Sequence, residues 1–429
     1  MIEAVLVLTC LAPVQEESGD LFDWARKIDD LDLTWKWGEF SFAASGQVDL
    51  EFFVYGDEAP GVHVEDSALR SGEYDRRWSS SSPDGAFRMS LFLDGSFRDW
   101  LEWSLEGRLD GTSGARGNVG ARFEQYWARV KPFEEPLAKF QLGKFSAPVG
   151  NFIPRSASKK NPLTTWPLAY DHVTSLTSAG DTAATLLANR DVPDLKDWYV
   201  PIWQAVYATG AMVFGDLSDF NYAVALMNSA PGTLPEDWDR KAFDADFYNL
   251  YLRLGYRLAA TSQVGMSWSR GPYEKAGRGG GGLAGPGPGP GPGGGISSDD
   301  RDDQDQTLFG VDASFASGFL EFFGEFYWTE FESINIDRDP ALWTYYLEGK
   351  YQATPEFHAA VRFAQMFFGD VDDAGADHRW DRDTTRVEFG GGYFFTTNFF
   401  LKVTQQLNWH MGGREPDDHM LMLQVGLSF

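Results

Sequence analysis

The sequence predicts an all-β protein, a closed antiparallel transmembrane β-barrel of about sixteen strands with long outer loops and short periplasmic turns. Three observations predict it. Apolar and polar residues alternate at strand period through most of the 429 residues, as they do when successive side chains point to opposite faces. The connections between these alternating segments sort by parity into short and long. The last nine residues, Leu421 to Phe429, put Leu421, Leu423, Val425, Leu427 and Phe429 on one face and Gln424, Gly426 and Ser428 on the other, with Met422 the one departure.

Composition agrees. Aromatics make up 15% of the chain, with 34 Phe, 16 Trp and 16 Tyr, against a mean hydropathy of -0.33. Such a balance suits strands whose two faces differ. No apolar run approaches the roughly 20 residues of a helical span, which excludes a helical membrane protein. The net charge of -27 argues against nucleic acid, whose phosphates need a basic face; acidity alone names no partner. The one cysteine, Cys10, lies in the apolar stretch 4–14, so 1–18 reads as a signal peptide with a small-residue exit near Ala12. Its first residues carry Glu3 and neither Lys nor Arg, which points to a start further upstream. A lipid-anchored Cys10 is the other reading, and Thr9 before it fits that signal poorly.

Residues 19–38 form a short N-terminal periplasmic segment, in which Leu21, Trp24, Ile28 and Leu31 fall at helical spacing. The barrel occupies 39–429. Its strands are expected at 39–55, 86–96, 97–110, 117–131, 136–145, 203–215, 219–228, 246–258, 260–270, 304–316, 318–331, 342–352, 355–368, 382–396, 397–408 and 418–429. Every second connection is tight, from Asp94–Ser96 to Thr396–Asn398, and the others run longer, with 146–202 the longest. Strict short/long alternation is what short periplasmic turns and long outer loops produce. An even strand count returns both termini to the periplasmic side.

The pleat assigns the faces. Leu101, Trp103, Leu105 and Leu109 oppose Glu102, Ser104, Glu106 and Arg108. Hydrocarbon cannot solvate the charged face, so it lines the lumen, and sixteen strands are wide enough to leave water inside. The lumen set is Arg98, Glu102, Glu106, Arg108, Arg122, Glu124, Lys139, Arg253, Glu325, Glu348, Lys350, Arg362, Arg386, Glu388 and Lys402. With Arg88, Arg257, Asp49, Glu51, Asp94, Asp110, Asp312 and Glu321 also read as facing inward, eleven cations against twelve anions leave the wall near neutral, as in a salt-bridge lattice. On the lipid face Trp268, Trp328, Trp343 and Trp409 fall at outer strand ends, and Tyr256, Tyr351 and Tyr393 at inner ends, as two interfacial belts would. The segment 277–295, followed by Asp299–Asp305, cannot build a core, so 271–303 reads as a disordered Gly/Pro/Asp loop.

The closing segment resembles the final strand of bacterial outer-membrane barrels, in which the terminal Phe is read by the barrel-assembly machinery; Phe429 is then the insertion signal. A second resemblance rests on Lys139–Phe152. Its Gly143, Lys144, Phe145, Pro148 and Gly150 form a Gly-Lys-Phe-x-x-Pro-x-Gly run that resembles the phosphate-selective O/P family of porins. The resemblance implies a sixteen-stranded barrel in the outer membrane of a Gram-negative bacterium, an inward-folded third loop, and a homotrimer. Gly143 and Gly150 permit close backbone approach, and Pro148 stops the ladder where the chain must turn inward. The near-neutral wall departs from the family's anion path of Arg and Lys. Within 146–202, Arg155, Lys159 and Lys160 are the candidates for a pore constriction, with a solvated loop charge run as the other reading.

Catalytic signals are sparse. The six histidines lack metal-site spacing, and there is no nucleophile elbow, phosphate loop or dinucleotide fingerprint. No cofactor is implied. The expected function is passive diffusion of small hydrophilic solutes or ions through a pore narrowed by loop 146–202. The alternative is an outer-membrane barrel enzyme or surface-binding protein using its long loops. Loops 56–85 and 271–303 carry excess acid, which would concentrate cations at the outer mouth at low salt.

Overall fold

The computed structural model describes residues 27–29, 31–55, 84–112, 119–133, 137–177, 182–190, 199–234, 238, 248–274, 304–411 and 419–429. The expected signal at 1–18, the acidic loop 56–83 and most of 271–303 lie outside the described residues.

The described strands are β1 (Thr34–Trp37), β2 (Phe40–Tyr55), β3 (Asp84–Phe97), β4 (Leu101–Thr112), β5 (Val119–Val130), β6 (Lys139–Ser146), β7 (Tyr207–Leu217), β8 (Phe220–Met227), β9 (Asn249–Ala259) and β10 (Ser262–Pro272). They continue with β11 (Asp305–Ser317), β12 (Leu320–Phe331), β13 (Ala341–Gln352), β14 (Phe357–Phe368), β15 (Asp370–Asp373), β16 (Ala376–Arg379), β17 (Thr384–Phe394), β18 (Phe399–His410) and β19 (Met420–Ser428). Sixteen of them, β2 to β14 and β17 to β19, form one antiparallel ring that closes where β19 pairs with β2. The hairpin β15–β16 stands apart in the loop after β14.

Strand β1 was not expected as a strand. It pairs with the start of β2, from Thr34 opposite Ala43 to Trp37 opposite Phe40. This is the stretch that β19 fails to reach, because Phe429 ends opposite Gly46 with N–H···O bonds of 2.8 and 2.9 Å. An uncovered edge of β2 would leave a row of unpaired amides; β1 covers it.

Two strand starts differ by four residues from the sequence reading. Asp94-Gly95-Ser96 looks like a turn, yet β3 runs through it to Phe97. Gly95 is needed in the strand because the Trp103 indole lies over it, where a Cβ would collide. The turn is 98–100 instead, so Arg98 does not line the lumen. It sits at φ 49° in that turn and pairs with Glu39 at 2.7 Å on the exposed periplasmic rim. Strand β7 starts at Tyr207 rather than 203, because Gln204 and Val206 adopt φ 44° and 46° and break the extended run.

The wall has the polarity of a membrane barrel. Leu50, Phe52, Leu91, Phe123, Leu254, Leu347, Val361 and Phe389 are exposed on its outside, while Glu106, Glu348, Arg362 and Glu388 are buried inside. Register sets the expected outer aromatic belt in one row across β10–β14. Trp268 lies opposite Phe309, Phe309 opposite Trp328, Trp328 opposite Trp343, and Trp343 opposite Phe367. At the inner end Phe220 meets Tyr256 and Phe357 meets Tyr393.

These faces make a direct prediction. Leu105→Arg, on the lipid side, should weaken insertion by about 2–4 kcal/mol, read as loss of the folded species in a urea titration in lipid vesicles. Glu102→Gln, on the lumen side of the same strand and partly open to water, should insert normally. Equal assembly defects from the two would refute the assigned pleat.

Candidate functional site: the folded third loop and the lumen wall

The third outer connection, 147–206, joins β6 to β7, and its described residues are folded into the barrel. The glycines flanking Pro148 make the entry possible. Gly143, at φ 130°, lies against the backbone of Tyr126 and Trp127, where any Cβ would collide. Gly150, at φ 62°, lies against Tyr327, Glu325 and Tyr170 with no room for a side chain. Both positions favour glycine twice over, by φ and by space.

Past Gly150 the loop is fastened to inward charges of the wall. The Glu325 carboxylate accepts from the backbone N–H groups of Asn151 at 2.5 Å and Phe152 at 2.8 Å, and from the Tyr170 hydroxyl at 2.7 Å. Arg155 donates to Glu348 at 2.5 Å and Tyr346 at 2.9 Å, with its guanidinium 3.8 Å from the Phe323 ring centre. Burial opposes its charge, but Tyr346 and Glu348 outweigh burial and hold it more firmly protonated than usual. The fully buried Arg362 bridges Glu348 and Glu388 and donates to Thr165 O and Asn161 Oδ1. Arg386 pairs with Asp171 at 2.8 Å, and Lys402 donates to the carbonyls of Ser158 and Asn161. Removing one partner from a buried pair of this kind typically costs about 3–5 kcal/mol.

Two short helices, α1 (Leu168–Asp171) and α2 (Ala183–Asn189), stiffen the loop. Its apolar residues, among them Phe152, Trp166, Leu168, Tyr170, Leu176 and Ile202, pack against Tyr251, Leu308, Tyr327, Phe331, Leu342 and Phe368 of the wall in one core. Each such side chain contributes about 1.5–3 kcal/mol. The loop is therefore a packed element.

The loop reaches the periplasmic end. Ser158 donates to Asp49 of β2 at 2.7 Å. Lys159 donates to Asn398 in the β17–β18 turn at 2.6 Å and to Ser428 of β19 at 3.3 Å. Asp29, from the N-terminal segment, accepts from Thr396 and Thr397 of the same turn. Burial pulls the Lys159 ammonium below its usual range, and Asp29 opposes that pull. Thus Arg155, Lys159 and Lys160, adjacent in sequence, serve apart: Arg155 is sealed against Glu348, Lys159 holds the turn, and Lys160 is exposed.

The rest of the expected lumen set divides in two. Glu325, Glu348, Arg362, Arg386, Glu388 and Lys402 face inward and lie buried beneath the loop. Across the barrel, an ion-pair lattice lines β2–β5. Arg88 pairs with Asp49 at 2.9 Å, Arg108 with Glu106 at 2.9 Å, and Arg122 with Glu124 at 2.5 Å and Asp110 at 2.7 Å. Arg108 and Arg122 face each other directly across strands, a repulsive arrangement relieved by Glu124, which binds both. Glu102 takes Arg129 and Lys131, Arg253 takes Asp312 at 2.6 Å, and Lys350 takes Glu321 at 2.9 Å. Lys139 lies over the Phe214 ring.

Arg129 and Trp127 face inward and were not foreseen. The register of β4 and β5 shifts at Glu106/Gly107; Glu124 is the extra residue of a bulge, which flips the parity after it. The signal was in the sequence: outward positions Val119, Ala121 and Phe123 resume at Tyr126, a step of three. Among the described residues no group of three or more His, Cys, Asp or Glu is arranged to hold a metal. Phe429 lays its ring over Gly46 on the lipid face.

No family model and no curated protein matches the chain. Solved structures do. The chain is similar to OmpF of Salmonella typhi, solved in complex with daunomycin, at TM-score 0.55 and 9% identity over 92% of this chain and 100% of that one. It is similar to the outer membrane channel DcaP of Acinetobacter baumannii (0.52, 10%, 93% and 100%). It is also similar to an anion-selective porin from Comamonas acidovorans (0.52, 10%, 91% and 99%). At these identities the likeness establishes the fold, that of outer-membrane barrels.

If Glu325 is the main fastening of the loop entry, Glu325→Leu leaves two buried N–H groups unpaired, at about 1–3 kcal/mol each. Amide exchange at Asn151 and Phe152 should accelerate while the barrel stays folded, and Lys160→Ala should leave it unchanged. Unaltered protection in Glu325→Leu would sink this role.

Proposed function

We propose that the chain is an outer-membrane porin, passing small hydrophilic solutes or ions by passive diffusion beside the folded loop 147–206. The observation that carries this reading is the inverted wall: a closed sixteen-stranded ring, apolar outside, with a paired charge lattice inside and one outer loop folded against half of it. The lattice fixes charges at the solute's edge without covalent chemistry, so selection acts through width and local field. The reading includes export by the 1–18 signal, insertion read at Phe429, and assembly as a homotrimer, as in the family its entry motif resembles. Phosphate selectivity is the finer version of the proposal, and the near-neutral pairing of the wall weighs against it.

Planar-bilayer recording of the purified chain tests the reading. Discrete ohmic steps in KCl are expected; silence would favour a barrel enzyme or a surface-binding protein. Reversal potentials under a KCl gradient should show weak cation preference at low salt, set by the acidic outer loops, fading as screening shortens toward about 8 Å at physiological ionic strength. A strong anion preference abolished in the triple variant Arg155→Ala, Lys159→Ala, Lys160→Ala would instead restore the phosphate-type path.

A further inference from the structure

The wall of β2–β7, beside the folded loop, presents its charges unevenly. In the pairs of Arg88, Arg108 and Arg122 the guanidinium holds the exposure and the carboxylate sits behind it: Arg88 is 15% exposed against 1% for Asp49, Arg108 13% against 2% for Glu106, and Arg122 18% against 2% for Asp110. At Glu102, which is itself 30% exposed, two cations, Arg129 and Lys131, share one acid. A solute on this wall therefore meets guanidinium first, or two cations to one carboxylate. Aromatic rings are set among these cations. The Arg108 guanidinium lies 5.9 Å from the Tyr207 ring centre. Lower down, Arg129 lies between Trp127 at 4.4 Å and Phe214 at 5.0 Å, and Lys139 approaches the same Phe214 ring at 5.6 Å. Trp127, Tyr207 and Phe214 are all half-buried, with Trp127 and Tyr207 packed at the edge of the loop's apolar core.

Resting on the pore reading, we propose that this inward face of β4–β7 is a subsite for aromatic carboxylates. A carboxylate is attracted to the guanidinium layer, while a flat ring finds π surface at matching height, where offset or edge contacts are favoured. An organic cation would be held off by the local excess of positive charge, Arg129, Lys131 and Lys139 standing about the one acid Glu102. A small inorganic anion gains nothing from the rings. An aliphatic acid gains charge contact and desolvation but no ring geometry. The bulge at Glu124 makes the arrangement possible, because it turns Trp127 and Arg129 inward from a strand whose earlier parity would send them into lipid. At short range these contacts persist at salt concentrations that screen the outer mouth.

The test is made on the full chain in planar bilayers, with reversal potentials across gradients of potassium acetate, cyclohexanecarboxylate and benzoate. Sieving alone ranks acetate first and treats the two ring acids alike. The subsite predicts that benzoate is more permeant than acetate, and exceeds cyclohexanecarboxylate by about threefold to tenfold, the span of an aromatic contact. Trp127→Leu with Phe214→Leu should remove that excess. Because the comparison of the two ring acids is made on the unaltered chain, poor assembly of the double variant does not obscure the answer. Benzoate no more permeant than cyclohexanecarboxylate in channels that conduct KCl overturns the subsite and leaves the pore standing. Absence of KCl steps overturns both.

Discussion

Every other feature of this molecule depends on one constraint: within hydrocarbon, backbone amides must find partners in the chain itself. A sheet meets it only by closing. Closure here is the pairing of β19 with β2, from Met420 opposite Tyr55 to Ser428 opposite Gln47. The stagger of that seam leaves the start of β2 longer than β19 can cover, and β1 supplies the missing partner. Gly46, which gives the Phe429 ring its place on the lipid side, belongs to the same seam.

Closure also inverts the usual distribution of side chains. With the apolar face spent on lipid, the interior has to be organised by charge. The protein does so in two ways. On one side, buried Arg362, Arg386, Lys402, Glu325 and Glu348 take up backbone and side-chain groups of an incoming loop. On the other, acids and arginines satisfy one another along β2–β5. The loop brings its own aliphatic and aromatic residues, so an apolar core forms inside a polar-lined barrel. Neither half would be stable alone: the anchors would be uncompensated charges, and the core would have no wall to pack on.

Much of this could be read from the sequence, because period-2 alternation in lipid is strict. A slip by one residue sends charges into hydrocarbon, so faces such as Leu347 against Glu348 were legible residue by residue. Sequence and structure part where local geometry breaks the period. Gly95 looked like a turn residue because a single strand does not show the Trp103 ring on its neighbour. The bulge at Glu124 hid Arg129 and Trp127. The loop was legible at its entrance, where Gly143 and Gly150 are required, but not in its interior. Its contacts with Glu348, Asp49 and Asn398 are made across nearly two hundred residues or more in several cases, and no spacing rule encodes such partners. Arg155, Lys159 and Lys160 were grouped by proximity along the chain, whereas folding gives each a different neighbour.

The position of the loop tip has a mechanical consequence. Ser158 holds β2 and the adjoining Lys159 holds the end of β19. Two consecutive residues of an outer loop thus clasp the two strands of the seam from inside, much as a rivet joins the edges of a rolled plate. Any parting of those strands has to shear the clasp. Conversely, the clasp is complete only where the two edges have met.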